Sequence, residues 1–185
     1  MIPLKKEERF TYTDYYSWDD DQRWELIEGV PYLMAAPTWV HQLICNRINL
    51  KIGQYLEGKQ CIVLCSPIDV RLNADTYDDT VVQPDIIVVC DKSKLDDGGS
   101  IVGAPDMIVE ILSPTSHSRD KLIKFNQYLR AGVREYWIVD PESKMITVHI
   151  LHSERYVTSA YGETDTVPVH VLEGCEIDLG EVFVE

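Results

Sequence analysis

Glu110 is the first residue of this sequence that asks for chemistry. It divides the aliphatic stretch Met107-Ile108-Val109 from Ile111-Leu112, and an ionised carboxylate there is costly unless a cation or a metal meets it. Two Pro-Asp pairs, Pro84-Asp85 and Pro105-Asp106, each precede an aliphatic run, which sets both aspartates at or near strand starts. Alternation along the second run puts Asp106, Ile108, Glu110 and Leu112 on one face. Asp106 and Glu110 are then separated by roughly 13 Å of strand, too far to share one ion easily. Asp85 heads the preceding strand, and neighbouring strands lie about 4.8 Å apart. With matching registers, Asp85 and Glu110 could hold one cation between them. Further on, Asp120, Lys124 and Tyr128 recur at i, i+4 and i+8 and share a helix face. Lys124, aimed at Glu110, could orient a water or stabilise a phosphorane-like transition state. Plainer roles compete: a core ion pair between Glu110 and Lys124, or an exposed Asp120–Lys124 pair worth a few tenths of a kcal/mol.

Positioning these groups takes a sheet and two helices. Pro37 to Leu56 reads as the first substantial helix, with Ile44, Ile48, Ile52 and Tyr55 at helical spacing and Thr38 near its start. Before it, Trp24 to Met34 reads as two short strands about a turn at Gly29, and Asp14 to Asp21 could include a short helix. Strands are expected at Cys61–Cys65, Ile68–Leu72, Val81–Cys90 and Asp106–Leu112. The near-continuous apolar character of Ile86–Cys90 and Met107–Leu112 fits burial on both faces. A second helix is expected over Ser116–Ala131, capped by Ser116 or Ser118, with Leu122, Phe125 and Leu129 as its apolar stripe and Gly132 as its stop. Glu135–Asp140 is another buried strand, followed by an antiparallel extension over Met145–Leu151 and Arg155–Ala160 and short strands through Val169 and Ile177. The fold class is α/β: a central mixed β-sheet flanked by helices, with extra antiparallel strands.

Composition narrows the function. The chain has 185 residues, 45% hydrophobic and 26% charged, the profile of a globular domain rather than a disordered one, and one domain over 1–185 is expected. No apolar run approaches the roughly 20 residues of a membrane helix. The start, Met1 to Glu8, lacks the apolar core of a signal peptide, so a cytoplasmic location is expected. Five cysteines at 45, 61, 65, 90 and 175 read as buried thiols. The four-residue step from Cys61 to Cys65 is not followed by a second ligand pair for zinc. The net charge of −14 argues against nonspecific nucleic-acid binding, yet His117–Arg134 carries five basic residues against one acidic. The segment before it, Asp75–Glu110, has nine acidic residues against two basic. A cation site beside an anion-binding surface would have this pattern; so would two solvated faces. No Gly-rich phosphate loop supports a small-molecule phosphohydrolase.

Pro84-Asp85, Val109-Glu110-Ile-Leu-Ser-Pro-Thr115, Asp120-x-x-x-Lys124-x-x-x-Tyr128, Ala131-Gly-Val133 and Glu135-Tyr-Trp-Ile-Val-Asp-Pro141 together resemble the Uma2 family of bacterial proteins. Glu25-Leu-Ile-Glu-Gly29 and the Ala-Pro…His41-Gln42 segment extend the likeness over roughly Trp24–Leu151. The resemblance implies a PD-(D/E)XK, restriction-endonuclease-like fold and a nuclease hydrolysing phosphodiester bonds with Mg²⁺ (or Mn²⁺). It implies Asp85 and Glu110 as metal ligands, the Ile111 main-chain carbonyl as a third, and DNA as the partner. Leu112 stands where the usual motif has a lysine, so Lys124 would replace it from the following helix. His41 could relay protons, although a capping or surface role is the plainer one. Exposed Trp18 and Trp39 with the C-terminal strands could serve a homodimer. The alternative is a noncatalytic interaction or regulatory module that keeps the nuclease scaffold.

Overall fold

Alternation in the two most apolar runs builds the centre of the molecule. The computed structural model describes residues 8–113 and 119–183. Strands β3 (Ile62–Cys65), β6 (Ile86–Val89), β8 (Met107–Ile111), β9 (Glu135–Asp140), β10 (Met145–His152) and β11 (Arg155–Gly162) form a mixed six-stranded sheet, ordered β11-β10-β9-β8-β6-β3. Only β8 and β9 run parallel within it, and α3 (Arg119–Ala131) lies between them in sequence, as a parallel connection requires.

The sheet is covered on both sides, as the unbroken apolar runs predict. Ile86, Val88, Met107, Val109, Trp137 and Val139 pack on one face against Ile44, Ile48 and Ile52 of α2 (Trp39–Leu56) and the C-terminal Val167 and Leu179. Ile87, Val89, Ile108 and Tyr136 pack on the other face, against Tyr128 of α3 and a second, five-stranded sheet. That sheet joins the hairpin β1 (Trp24–Ile27) and β2 (Val30–Leu33) to β4 (Val70–Arg71), β5 (Val81–Val82) and β7 (Ile101–Val102). The hairpin turn places Glu28 at φ 50° and Gly29 at φ 76°, the paired positive φ of the tight turn that suits strand twist. Two further strands, β12 (Thr166–Pro168) and β13 (Glu176–Asp178), pair with each other. A short helix, α1 (Tyr12–Tyr16), precedes the hairpin.

Several expectations change. The run Val81–Cys90 is two strands, because Gln83-Pro84-Asp85 carries the chain from one sheet to the other. The Ser116 and Ser118 caps lie outside the described residues. Leu122, assigned to the inward stripe, is 69% exposed, while Lys124 and Tyr128 are buried. The helix turns its polar face inward because carboxylates wait there. Cys61 and Cys90 are joined by a disulfide rather than held as free thiols. The pairing of Ile62 with Val89 brings them opposite each other at the end of β3 and β6. Cys45 and Cys175 are buried thiols and Cys65 is half-buried. Trp18 is not a free surface residue: it packs edge-on against Phe10, Tyr15 and Trp24. No described helix is long and apolar enough to cross a membrane.

Candidate metal centre

The register decides whether the two acids can meet. In the antiparallel β6–β8 pair Ile86 lies opposite Val109, so the next rung outward sets Asp85 opposite Glu110. Cross-strand partners share a face, and both side chains line one cleft of about 330 Å³ with Glu25, His41, Ile111 and Lys124. The sheet face that elsewhere carries Ile87, Val89 and Ile108 thus ends in carboxylates.

Lys124 crosses from α3 to this floor. Its Nζ donates to Glu110 Oε1 at 3.0 Å and to Glu25 Oε1 at 2.7 Å. Tyr128, one turn on, donates its hydroxyl to Glu110 Oε1 at 2.5 Å. Glu25 also accepts the Gln83 main-chain N–H at 2.9 Å. Asp85 Oδ2 accepts the Ile111 N–H at 2.7 Å and lies 3.2 Å from His41 Nε2. The Asp85 carbonyl is tied down by the Ser66 N–H at 3.1 Å.

Burial and charge pull these groups in opposite directions. Desolvation pushes the Glu110 carboxyl up to about 7, with Asp85 and Glu25 adding to the rise while Lys124 and the Tyr128 hydroxyl oppose it. Burial alone would lower the Lys124 ammonium, but Glu110 and Glu25 outweigh it and hold the group above its ordinary value. It stays charged. The Tyr128 phenol is raised by burial and then by Glu110, so it remains a donor. Burial disfavours a charged His41, yet its hydrogen bond to Asp85, with help from the Ile111 main chain, raises it overall.

Asp85, Glu110, Ile111 and Lys124 therefore meet, as the sequence reading requires. Asp106 stands apart: it accepts the Cys90 N–H at 2.7 Å and lies 3.2 Å from Arg134. One member was missed, and His41, named as a possible proton relay, was read chiefly as a cap or surface group. Glu25 sits in the apolar strand Trp24–Ile27, a weaker version of the signal that marks Glu110. His41 is buried rather than a cap or a surface group; it is Thr38 that caps α2, accepting the His41 main-chain N–H at 3.3 Å. A larger hollow, about 820 Å³, lies beside Arg9, Asn73, Gln127 and Arg130. Its ion pair, Arg130 with Glu28, is exposed, and it holds no comparable buried charge cluster.

The model of the Uma2 family, described as "Putative restriction endonuclease", matches residues 12–180. This chain belongs to the Uma2 family. Among curated proteins, it is 26% identical over 140 residues to the uncharacterized protein slr1290 of Synechocystis, covering 74% of this chain and 71% of that protein. Its fold is similar to a crystal structure from Anabaena variabilis titled as a putative nuclease belonging to DUF820, with a TM-score of 0.75 at 21% identity. That alignment covers 94% of this chain and 97% of the other. The Uma2 assignment places this chain in a family described as putative restriction endonucleases, and the likeness to the Anabaena structure shows a shared fold.

Proposed function

We propose that this Uma2 protein is a divalent-metal-dependent endonuclease that hydrolyses nucleic-acid phosphodiester bonds, with DNA as substrate and Mg²⁺ or Mn²⁺ as the ion. Asp85 and Glu110 are its metal carboxylates, the Ile111 carbonyl is a third ligand, and Lys124 is its catalytic cation. The observation that carries the reading is the opposition of Asp85 and Glu110 on one face at an open cleft, with Lys124 Nζ 3.0 Å from Glu110.

The donors fit such an ion. They are hard oxygens, and three carboxylates, Glu25, Asp85 and Glu110, face the single Lys124 ammonium in the cleft floor. Mg²⁺ needs only one or two such carboxylates and keeps several waters. A bound divalent ion polarises a phosphodiester and lowers the pKa of a coordinated water. The chain supplies the rest. An ammonium has three donors; two of Lys124's go to Glu110 and Glu25, leaving the third to orient a water or a phosphoryl oxygen. The Ile111 N–H and His41 fix the Asp85 carboxylate, and Tyr128 fixes Glu110.

The test pairs Mn²⁺ calorimetry with nicking of supercoiled plasmid. Asp85→Asn and Glu110→Gln are expected to weaken Mn²⁺ binding at least about 100-fold and to cut nicking by about 1,000-fold. Wild-type nicking by both folded variants overturns the reading. One observation favours the noncatalytic module instead: Lys124 is already satisfied by two carboxylates, a buried cluster that can stand without an ion. Absence of Mn²⁺ binding through the millimolar range selects that module.

A further inference from the structure

From the wall and rim of the cleft we infer that the substrate is taken as a single strand, with Arg23 holding a phosphate and Trp39 stacking a base. The inference rests on the nuclease reading and names its substrate class.

Arg23 lines the cleft just before β1. Its Nε and Nη2 donate to Gln83 Oε1 at 3.1 and 2.7 Å, and Nη2 also donates to Ser66 Oγ at 2.7 Å. Gln83 is itself fixed, its Nε2 donating to Asp69 Oδ1 at 2.9 Å and to Tyr15 at 3.2 Å. The guanidinium is thus oriented by neutral oxygens. Among the described residues no carboxylate forms an ion pair with it, whereas Arg71 has two such partners and Arg130 and Arg134 have one each. Lys124, also on the cleft, has two of its three donors on Glu25 and Glu110. Three of Arg23's five N–H donors are used by Gln83 and Ser66, and the two on Nη1 are placed to receive a phosphate oxygen.

Trp39 is 76% exposed at the start of α2. Pro37 and Gln42, on either side of it, line the cleft, and Gln42 is its i+3 neighbour on the helix surface. An uncovered indole flanked by cleft-lining residues is a platform on which an unpaired base can stack. A duplex keeps its bases paired and stacked and offers none to such a platform.

Fluorescence anisotropy in Ca²⁺ tests this with labelled oligo-dT against a duplex of equal length. The strand is expected to bind at least about tenfold tighter than the duplex. Trp39→Ala should weaken strand binding about tenfold, with Trp39→Phe recovering most of it. Arg23→Met should lower the slope of log affinity against log salt by about one, and Arg23→Lys should restore it. A duplex bound as tightly as the strand, or a Trp39→Ala variant within about twofold of wild type, overturns the inference. In that event Mn²⁺ binding that is lost in Asp85→Asn leaves the nuclease reading standing on its own.

Discussion

Two glutamates on adjacent strands meet burial in opposite ways. Glu135 on β9 is fully buried, and its carboxylate accepts the Trp137 indole N–H at 2.7 Å and the Val171 main-chain N–H at 2.8 Å. Glu110 on β8 points to the other side of the sheet, where it meets an ammonium, a phenol and a second carboxylate at an open cleft. Neutral donors that close around a carboxylate make it a structural acceptor. A cluster with surplus negative charge, left open to solvent on one side, is the arrangement that the proposed cation site requires. Burial of an acid marks neither case by itself; the partners and the opening do.

The largest effect expected from breaking this contrast is at Lys124. Lys124→Ala leaves Glu25 and Glu110 facing each other in the cleft floor without their cation, and stranding a buried charge typically costs about 3–5 kcal/mol. Urea denaturation at neutral pH measures it. A loss below about 1 kcal/mol would mean that water already screens the cluster. Because this variant loses stability, Asp85→Asn and Glu110→Gln are the better probes of cleavage.

Next in size is Glu135. Burial raises its carboxyl, and the Val171 and Trp137 donors only partly offset the rise. As pH climbs from the ordinary glutamate range, about 4.3, the unfolded chain releases this proton before the folded chain does. Over that window the folded state binds more protons, so Glu135 takes away stability as pH rises towards its raised folded value. Glu135→Gln removes this slope while disturbing two buried hydrogen bonds, at a cost of about 1–3 kcal/mol. Urea midpoints across pH 4–8, compared between the two proteins, test the sign. A Gln variant that keeps the full wild-type slope would place the titration elsewhere. Oligo-dT binding should not change, since Glu135 faces away from the cleft.

What the sequence made legible follows the same division. The Asp85–Glu110 pairing was readable because strand alternation is local and the Pro-Asp pairs mark where strands begin. The orientation of α3 was legible in part: Lys124 faces Glu110 and Phe125 packs inward, but Leu122 is exposed, because the helix is also held by Glu25, 99 residues from Lys124 in sequence. A charge pairing at that distance leaves no trace in helix periodicity. The Cys61–Cys90 bond was hidden for the same reason, since it depends on how β3 registers against β6. The isolated acid in Trp24–Ile27 was the available clue to Glu25, and it carried less weight because only one apolar residue precedes it in the strand.

The smallest expected effect calibrates the other two. Thr38 touches neither glutamate. Its hydroxyl accepts the His41 main-chain N–H at the start of α2, and α2 carries the imidazole to Asp85. Thr38→Ala removes one cap, typically about 1 kcal/mol. The loss should appear as a lower urea midpoint with the same pH slope as wild type, because no titrating group has lost a partner. Mn²⁺ affinity should hold within about threefold if the packing of Ile44 and Ile48 is what sets the helix position, and should fall further if the cap sets where His41 meets Asp85. Calorimetry on this variant therefore separates a helix end that merely stabilises the fold from one that positions the cleft.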